Sequence, residues 1–403
     1  MSTKCIKELV VRVFAHRAVT WSAERAGSFL PSTLKNVLFK AAAKKHCVQD
    51  VILHEIEYMV YYGERNARSH FEIWDPVFSK LSGKHISVLR HAMPWWELKD
   101  RDSVYPINAM EQLDQLFARL PNLKAVFYPG NNGENLYAVR QNQYCHIFLG
   151  HGDSNKGSSA NKMFRLYDEV WVAGQAHIER FDSVPGDYSS IKFEVIGQPW
   201  MAEWLDARPD YEMDELLDWA YLPTWRGSYR SWSYSSLSIA DEIMNSGNLH
   251  AQKSGQGFIK PHPWTDGETM KAITQTASEL VNVHIVDPTT QLRNCLEKPL
   301  RFVICDVSAA LTECLYINVP IFLYRPPLQS EMTDDFEEQT DFCYKFQKID
   351  ELNQLLDEVI LQGRDRLAEA RAKAIAHTID MKRTKSGEFY RKLAALPLHR
   401  RQF

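Results

Sequence analysis

The stretch His146 to Ser159 reads HIFLGHGDSNKGSS: an apolar run ends at Leu149, Gly150-His151-Gly152 follows, and then comes a polar loop. Glycines at a strand tip permit close backbone approach and dihedral angles closed to other residues. A histidine between them presents an imidazole, with a pKa near neutrality, to whatever lies beyond the strand. Such a group is suited to taking a proton from a hydroxyl. The plainer alternative is a turn that merely contains a histidine. Gly152 and Lys156, in the loop that follows, are the candidates for contact with the molecule that would surrender the proton.

Three further stretches place polar groups at the ends of apolar runs. In FIKPHPW, Lys260 and His262 leave a strand, and the prolines on either side of the histidine stiffen the turn. In VICDVSAALTE, Asp306 ends a buried run and Ser308 stands at the N-cap of a helix that begins with Ala309. A helix start with a hydroxyl and free backbone N–H groups is suited to a phosphate, and Lys260 and His262 would add cationic donors. In YLPTWRGS, Thr224, Arg226 and Ser228 follow another strand. Glu313, one turn into the helix after Ser308, could accept hydrogen bonds from the ribose hydroxyls of a nucleotide. Each feature has a structural alternative. Asp306 and Ser308 could only cap a helix, His262 could sit in a rigid turn, and Arg226 and Glu313 could be ordinary surface residues.

The elements that must hold these groups follow from periodicity. The first eighty residues read as helical, through TLKNVLFKAAAKKH and on through VQDVILHEIEYMVYYGERNARS. Strands and helices then alternate: strands near 85–93, 122–129, 144–150, 168–174 and 191–197, with helices at 108–120, 159–167 and 175–181. The pattern lapses between 197 and 215, around Pro199 and Pro209. A second alternating series follows, with strands near 217–224, 256–263, 282–288, 301–308 and 319–325. The last stretch, from Ile349, reads as helical throughout. Alternation of this length implies parallel sheets covered on both faces. The expected fold is therefore α/β: two doubly wound Rossmann-like domains facing a central cleft, the GT-B arrangement, with a helical N-terminal segment and C-terminal helices. The expected boundaries are 1–80 for a basic helical segment, 81–200 for an acceptor domain, 201–375 for a nucleotide-donor domain and 376–403 for a basic helical tail. In such sheets ligands bind beyond the carboxyl ends of the strands, where the groups named above fall.

Composition bounds the rest. A chain of 403 residues, 45% hydrophobic and 24% charged, is long enough for two cores. No apolar stretch reaches the length of a membrane span, and the charged N-terminus does not read as a secretory signal. Seven scattered cysteines without a CxxC favour a reducing compartment and argue against a disulfide framework or zinc site. Cytoplasmic location is expected. Net charge is only −4, yet Met1–Gln49 holds nine Lys/Arg against two acids, and Arg364–Phe403 eleven against four. Basic ends of this kind suit an anionic surface such as lipid headgroups on the inner face of a membrane, or they are solvated helix faces. No nucleic-acid recognition motif accompanies the charge.

Taken in order, His151-Gly152, Tyr221-Leu222-Pro223-Thr224-Trp225-Arg226, Lys260-Pro261-His262-Pro263 and Asp306-Val307-Ser308-Ala309 resemble the CDP-glycerol glycerophosphotransferase family, the teichoic-acid polymerase-like enzymes also found in capsule synthesis. The resemblance covers about residues 144–325. It implies transfer of glycerol phosphate from a CDP-linked donor to a hydroxyl of a glycan or lipid-linked polymer, with CMP released. It also implies His151 as base, and the Lys260/His262 turn with the Asp306–Ser308 loop as holders of the donor pyrophosphate. No cofactor and no metal are expected beyond the donor itself. The chain departs from the family's pattern at Asp153-Ser154, where threonine-proline is usual, and at Ala309, where a second serine is usual. The rival readings are a GT-B glycosyltransferase using a nucleotide sugar, a non-hydrolysing nucleotide-sugar epimerase and a non-catalytic polymer-binding protein.

Overall fold

The computed structural model describes residues 30–47, 52–151, 160–182, 184–207, 218–226, 234–251, 256–296, 300–325 and 340–398. Two parallel sheets organise the chain. The first contains β1 (Tyr58–Tyr62), β2 (His85–Leu89), β3 (Val104–Pro106), β4 (Ala125–Tyr128), β5 (Cys145–Phe148), β6 (Glu169–Val172) and β7 (Lys192–Val195), in the order β3-β2-β1-β4-β5-β6-β7. The second contains β8 (Asp218–Leu222), β9 (Gly257–Ile259), β10 (Val283–Ile285), β11 (Leu300–Cys305), β12 (Ile321–Tyr324) and β13 (Tyr344–Phe346), in the order β10-β9-β8-β11-β12-β13. Each order reverses at its centre, between β1 and β4 and between β8 and β11. Those two switch points are where an open α/β sheet leaves a crevice for a ligand.

The helical expectation for residues 48–69 is corrected. YMVYY is β1, an interior strand of the first sheet paired with β2 and β4, and a helix starts only at Ala67. All five residues of β1 are buried, because an interior parallel strand is covered on both faces. Such a strand reads as a continuous apolar run and not as an alternation, so it resembles a buried helix. The short strands β3 and β13 were also outside the sequence expectation, and the chain after Ile349 is a series of short helices broken at 362–367, not one run.

The C-terminal residues are likewise not a tail. Helix Glu388–Ala395 returns to the first sheet, where Phe389 packs against Trp74 (5.6 Å) and Trp171 (5.8 Å). The Tyr58 hydroxyl donates to the Leu393 carbonyl at 3.0 Å, and Tyr390 to Val77 at 3.2 Å. Several basic residues there are engaged within the fold: Arg383 with Asp380 (3.2 Å), Arg391 with Glu388 (2.6 Å) and Lys392 with Glu194 (2.5 Å). The chain crosses to the second domain after Gly197, a residue in the left-handed region (φ +72°). There Gln198 N–H donates to Thr384 Oγ1 at 3.0 Å, and the Tyr316 hydroxyl to Gln198 Oε1 at 2.7 Å. Residues 1–29, the larger part of the other basic end, lie outside the described residues. No helix among the described residues is long and apolar enough to cross a membrane. Cysteines 145, 295, 305, 314 and 343 are buried free thiols.

One buried group links this packing to pH. His85, at the start of β2, is 6% exposed, and neither ring nitrogen has a hydrogen-bond partner among the described residues. Burial pushes its pKa from 6.5 down to about 4. The unfolded chain therefore takes up a proton that the folded chain refuses. The stability that neutral His85 permits is complete above pH 6.5 and is lost as pH falls towards 4. Between pH 7.5 and pH 5 the parent should lose about 2 kcal/mol more stability than His85→Leu. Denaturant melts at the two pH values measure this, and equal losses in both proteins would remove His85 from the account.

Candidate active site

The carboxyl ends of β1, β4 and β5 meet at the first switch point. After β5 the chain turns through Gly150, which adopts φ +71°. The Gly150 carbonyl accepts a hydrogen bond from the indole N–H of Trp74 at 2.6 Å, which fixes the backbone immediately before His151. His151 Nδ1 lies 2.8 Å from the Pro129 carbonyl, beyond the end of β4. A carbonyl can only accept, so Nδ1 carries the hydrogen and Nε2 of the neutral ring is left with its lone pair. The glycine before the histidine thus serves a turn that aims one defined nitrogen away from the sheet.

The ring of His151 is stacked on that of His70, with centroids 3.6 Å apart and planes 19° from parallel. His70 Nδ1 is 2.5 Å from Glu64 Oε1, and Glu64 Oε2 accepts from the Asn132 amide at 3.0 Å. Burial would raise the Glu64 pKa, but the His70 hydrogen bond and its charge outweigh that and hold Glu64 below the usual carboxylate range. Loss of solvent around the ring, together with the neighbouring His70, lowers the His151 pKa. The residue as a whole retains an exposed face. A β-carbon on Gly130, two residues past the end of β4, would sit 3.0 Å from the Glu64 carboxylate.

Glu64 and His70 were missed from sequence because the helical reading of 48–69 hid the end of β1. The signal that could have found them is GERNARSH: a glycine and an acid at a strand end, with a histidine six residues on. Gly152 and Lys156 lie outside the described residues.

The second cluster sits at the carboxyl ends of β8, β9 and β11. Asp306 is fully buried, and its carboxylate accepts from Thr224 N–H (2.7 Å) and Ser236 N–H (3.1 Å). Its role is to tie the loop after β8 to the end of β11. Thr224 is 2% exposed, and its hydroxyl has no partner among the described residues. Ser308 caps the short helix Ala309–Cys314, its Oγ accepting from Ala310 N–H at 3.3 Å, and Ala309 is the first helical residue. Arg226 is exposed, with a long 3.5 Å contact to the Leu237 carbonyl. His262 Nδ1 accepts from Trp264 N–H at 3.1 Å, leaving Nε2–H as a donor, and Trp225 and Trp264 flank the ring. Lys260 donates to the Pro288 carbonyl at 3.2 Å; burial lowers its pKa, against the pull of Glu313 and Asp287. Burial pushes Glu313 up to about 7, against the nearby cations Lys260 and Arg293.

Two contacts bring these clusters to one cleft. Gln291, after β10, donates to the carbonyl of Ser69 beside His70 at 3.3 Å, and Arg293 donates to the Trp200 carbonyl at 3.1 Å. A cavity of about 630 Å³ lies between the domains on another side of the helix Ala309–Cys314. None of the residues singled out from sequence lines it. Three of its rim side chains are paired, His377 with Glu179, Lys373 with Glu369 and Arg366 with Glu358.

Comparison with known proteins fits this geometry. No family profile matches the sequence, and no curated protein does. Solved structures do match. A variant of the wall teichoic acid polymerase TagF soaked with CDPG superposes with a TM-score of 0.57 at 14% identity, covering 94% of this chain and 99% of that one. MnaA from S. aureus with UDP gives 0.55 at 13% identity, covering 84% and 97%. HepE from Anabaena with UDP and glucose gives 0.52 at 9% identity, covering 85% and 100%. The chain has the GT-B fold. At these identities the likeness extends to the fold alone. Within the GT-B frame, the His151 cluster belongs to the first domain and the Lys260, His262 and Ser308 cluster to the second.

Proposed function

We propose that this GT-B protein transfers a phosphoalcohol, glycerol phosphate in the simplest case, from a CDP-linked donor to a hydroxyl of a glycan or polymer acceptor. The observation that carries the proposal is the hydrogen bond from His151 Nδ1 to the Pro129 carbonyl, which leaves Nε2 as a neutral base at the switch point of the first sheet. In the reaction, Nε2 takes the proton of the acceptor hydroxyl as its oxygen attacks the β-phosphorus. The bond from that phosphorus to the bridging oxygen breaks, and CMP leaves with the electron pair. Lys260, His262 and Ser308 would offset charge on the pyrophosphate. Arg226 stands at the mouth of the same cluster, and Thr224 and Asp306 hold its shape. Glu313 is assigned to the ribose hydroxyls. The TagF structure named with CDPG shares this fold, and a CDP-linked donor is the reading taken from it.

The two structures named with UDP favour a second reading, transfer of a sugar from a nucleotide sugar on the same fold. Incubation with a panel of CDP-alcohols and UDP-sugars, with and without glycan acceptors, separates them. CMP release supports phosphotransfer, nucleoside diphosphate release supports glycosyl transfer, and no turnover of any donor overturns both.

The donor assignment predicts a binding result. His262→Ala and Ser308→Ala should each weaken CDP affinity by about 10–150-fold, the equivalent of a charge-assisted contact of about 1.5–3 kcal/mol. Because ribose hydroxyls donate to an ionised carboxylate, CDP binding should also tighten as pH rises through about 7, where Glu313 loses its proton. Calorimetry showing parent-like affinity in both variants would defeat the assignment.

A further inference from the structure

We infer that Glu64 and His70 form a positioning pair that sets the basicity of His151, an inference that rests on His151 acting as the base proposed above. Three constraints hold the His151 ring. The Pro129 carbonyl takes its edge at 2.8 Å, the His70 ring covers one face at 3.6 Å, and Trp74 holds the preceding carbonyl at 2.6 Å. His70 and Trp74 lie four residues apart on one helix, Ala67–Phe78, so a single element supplies both the cover and the backbone anchor. His70 is in turn fixed by Glu64, whose second oxygen is held by Asn132. The chain of contact therefore runs from a carboxylate through one imidazole to the face of another.

This arrangement has a defined electrostatic consequence. Two imidazolium rings at this separation would repel, so the pair holds at most one added proton at low cost. When His151 accepts the proton of a hydroxyl, the new positive charge forms against the His70 ring, which is backed by the Glu64 carboxylate. His70 disfavours that charge and Glu64 favours it. The other titratable groups facing Glu64 are the phenols of Tyr61, Tyr62 and Tyr167, all raised by burial and so uncharged. From the second domain, Asp287 faces Arg68, and Arg293 faces Glu72, both on the same helix. Glu64 is thus the anion that stands behind the stacked rings. Neither Glu64 nor His70 needs to touch the substrate.

The test uses the full chain without ligand and reads the imidazole nitrogens by ¹⁵N NMR as a function of pH. Glu64→Gln should move the His151 titration to lower pH, because the favourable charge is gone. His70→Phe keeps a ring on the face but removes the competing imidazole, and should move the titration to higher pH. Shifts of opposite sign are not produced by loosening alone, and either variant that folds tests the inference. In turnover, Glu64→Gln should lower kcat by about 10–100-fold with little change in KM, as loss of an orienting partner does. In a His151→Ala background it should add nothing. An unmoved His151 titration, or a full additional loss in the His151→Ala background, would overturn the inference. Titrations that move as stated, in a protein that turns over no donor, would leave the pair standing and sink the proposed reaction instead.

Discussion

His151→Ala should lower CMP release by roughly 10²–10⁴-fold, the usual contribution of a positioned base. The expectation rests on the tautomer as much as on the residue. With Nδ1–H committed to Pro129, the only basic atom of this ring is Nε2, and the residue keeps an exposed face. The loss should fall on kcat, since a base acts in the transition state and contributes little to holding the donor. Folding should survive, because the Trp74 bond to the Gly150 carbonyl is a backbone contact that the substitution leaves in place. His151→Gln is the sharper control. Its amide can still donate to the Pro129 carbonyl, yet it offers no basic nitrogen, so its turnover should match that of the alanine variant. Parent-like turnover in either variant, with the melting temperature unchanged, would take His151 out of the chemistry.

Gly197→Ala should be the most destabilising single substitution considered, at about 2–6 kcal/mol. Two costs combine there. Gly197 occupies the left-handed region at φ +72°, where a side chain is strained by about 1–3 kcal/mol. A β-carbon would also lie 2.4 Å from Thr384 Oγ1 and 2.5 Å from Thr384 N. The second clash is with backbone, which cannot rotate away, and overpacking of this kind costs about 1–3 kcal/mol. Gly83 separates the two terms: its φ is +82°, but nothing lies within 4 Å of an added β-carbon. Gly83→Ala should therefore show the conformational cost alone. Thermal melts of both variants measure the difference, and a Gly197→Ala protein as stable as Gly83→Ala would mean that the contact with Thr384 is not tight.

The parts of the site legible in sequence share one property: each follows a strand whose end is marked locally. Gly150 marks β5, Pro261 marks β9, and the Asp306-x-Ser308 turn marks β11, so their polar groups could be placed without knowing the neighbours. Glu64 and His70 had no such advantage, since β1 is buried on both faces and its YMVYY run carries no period of two. Asp306 shows the opposite limit. Its type and position were legible, but its partners, the amides of Thr224 and Ser236, are 82 and 70 residues away, and they turn a phosphate candidate into a brace. The C-terminal helix was misjudged for a related reason. Phe389 and Leu393 at i and i+4 give it an apolar stripe, but the surface that receives the stripe lies more than two hundred residues earlier in sequence.

The return of residues 388–395 to the first sheet also bears on how the protein is made. Trp74, Phe78 and Trp171 gain their cover from Phe389. A ribosome therefore releases the whole second sheet before it supplies the piece that seals the first. Domains usually complete in the order of synthesis; here the first to begin is the last to close. Until Phe389 emerges, the nascent chain leaves the aromatic face of Trp74, Phe78 and Trp171 uncovered, and the first sheet cannot settle before residues 388–395 have been made.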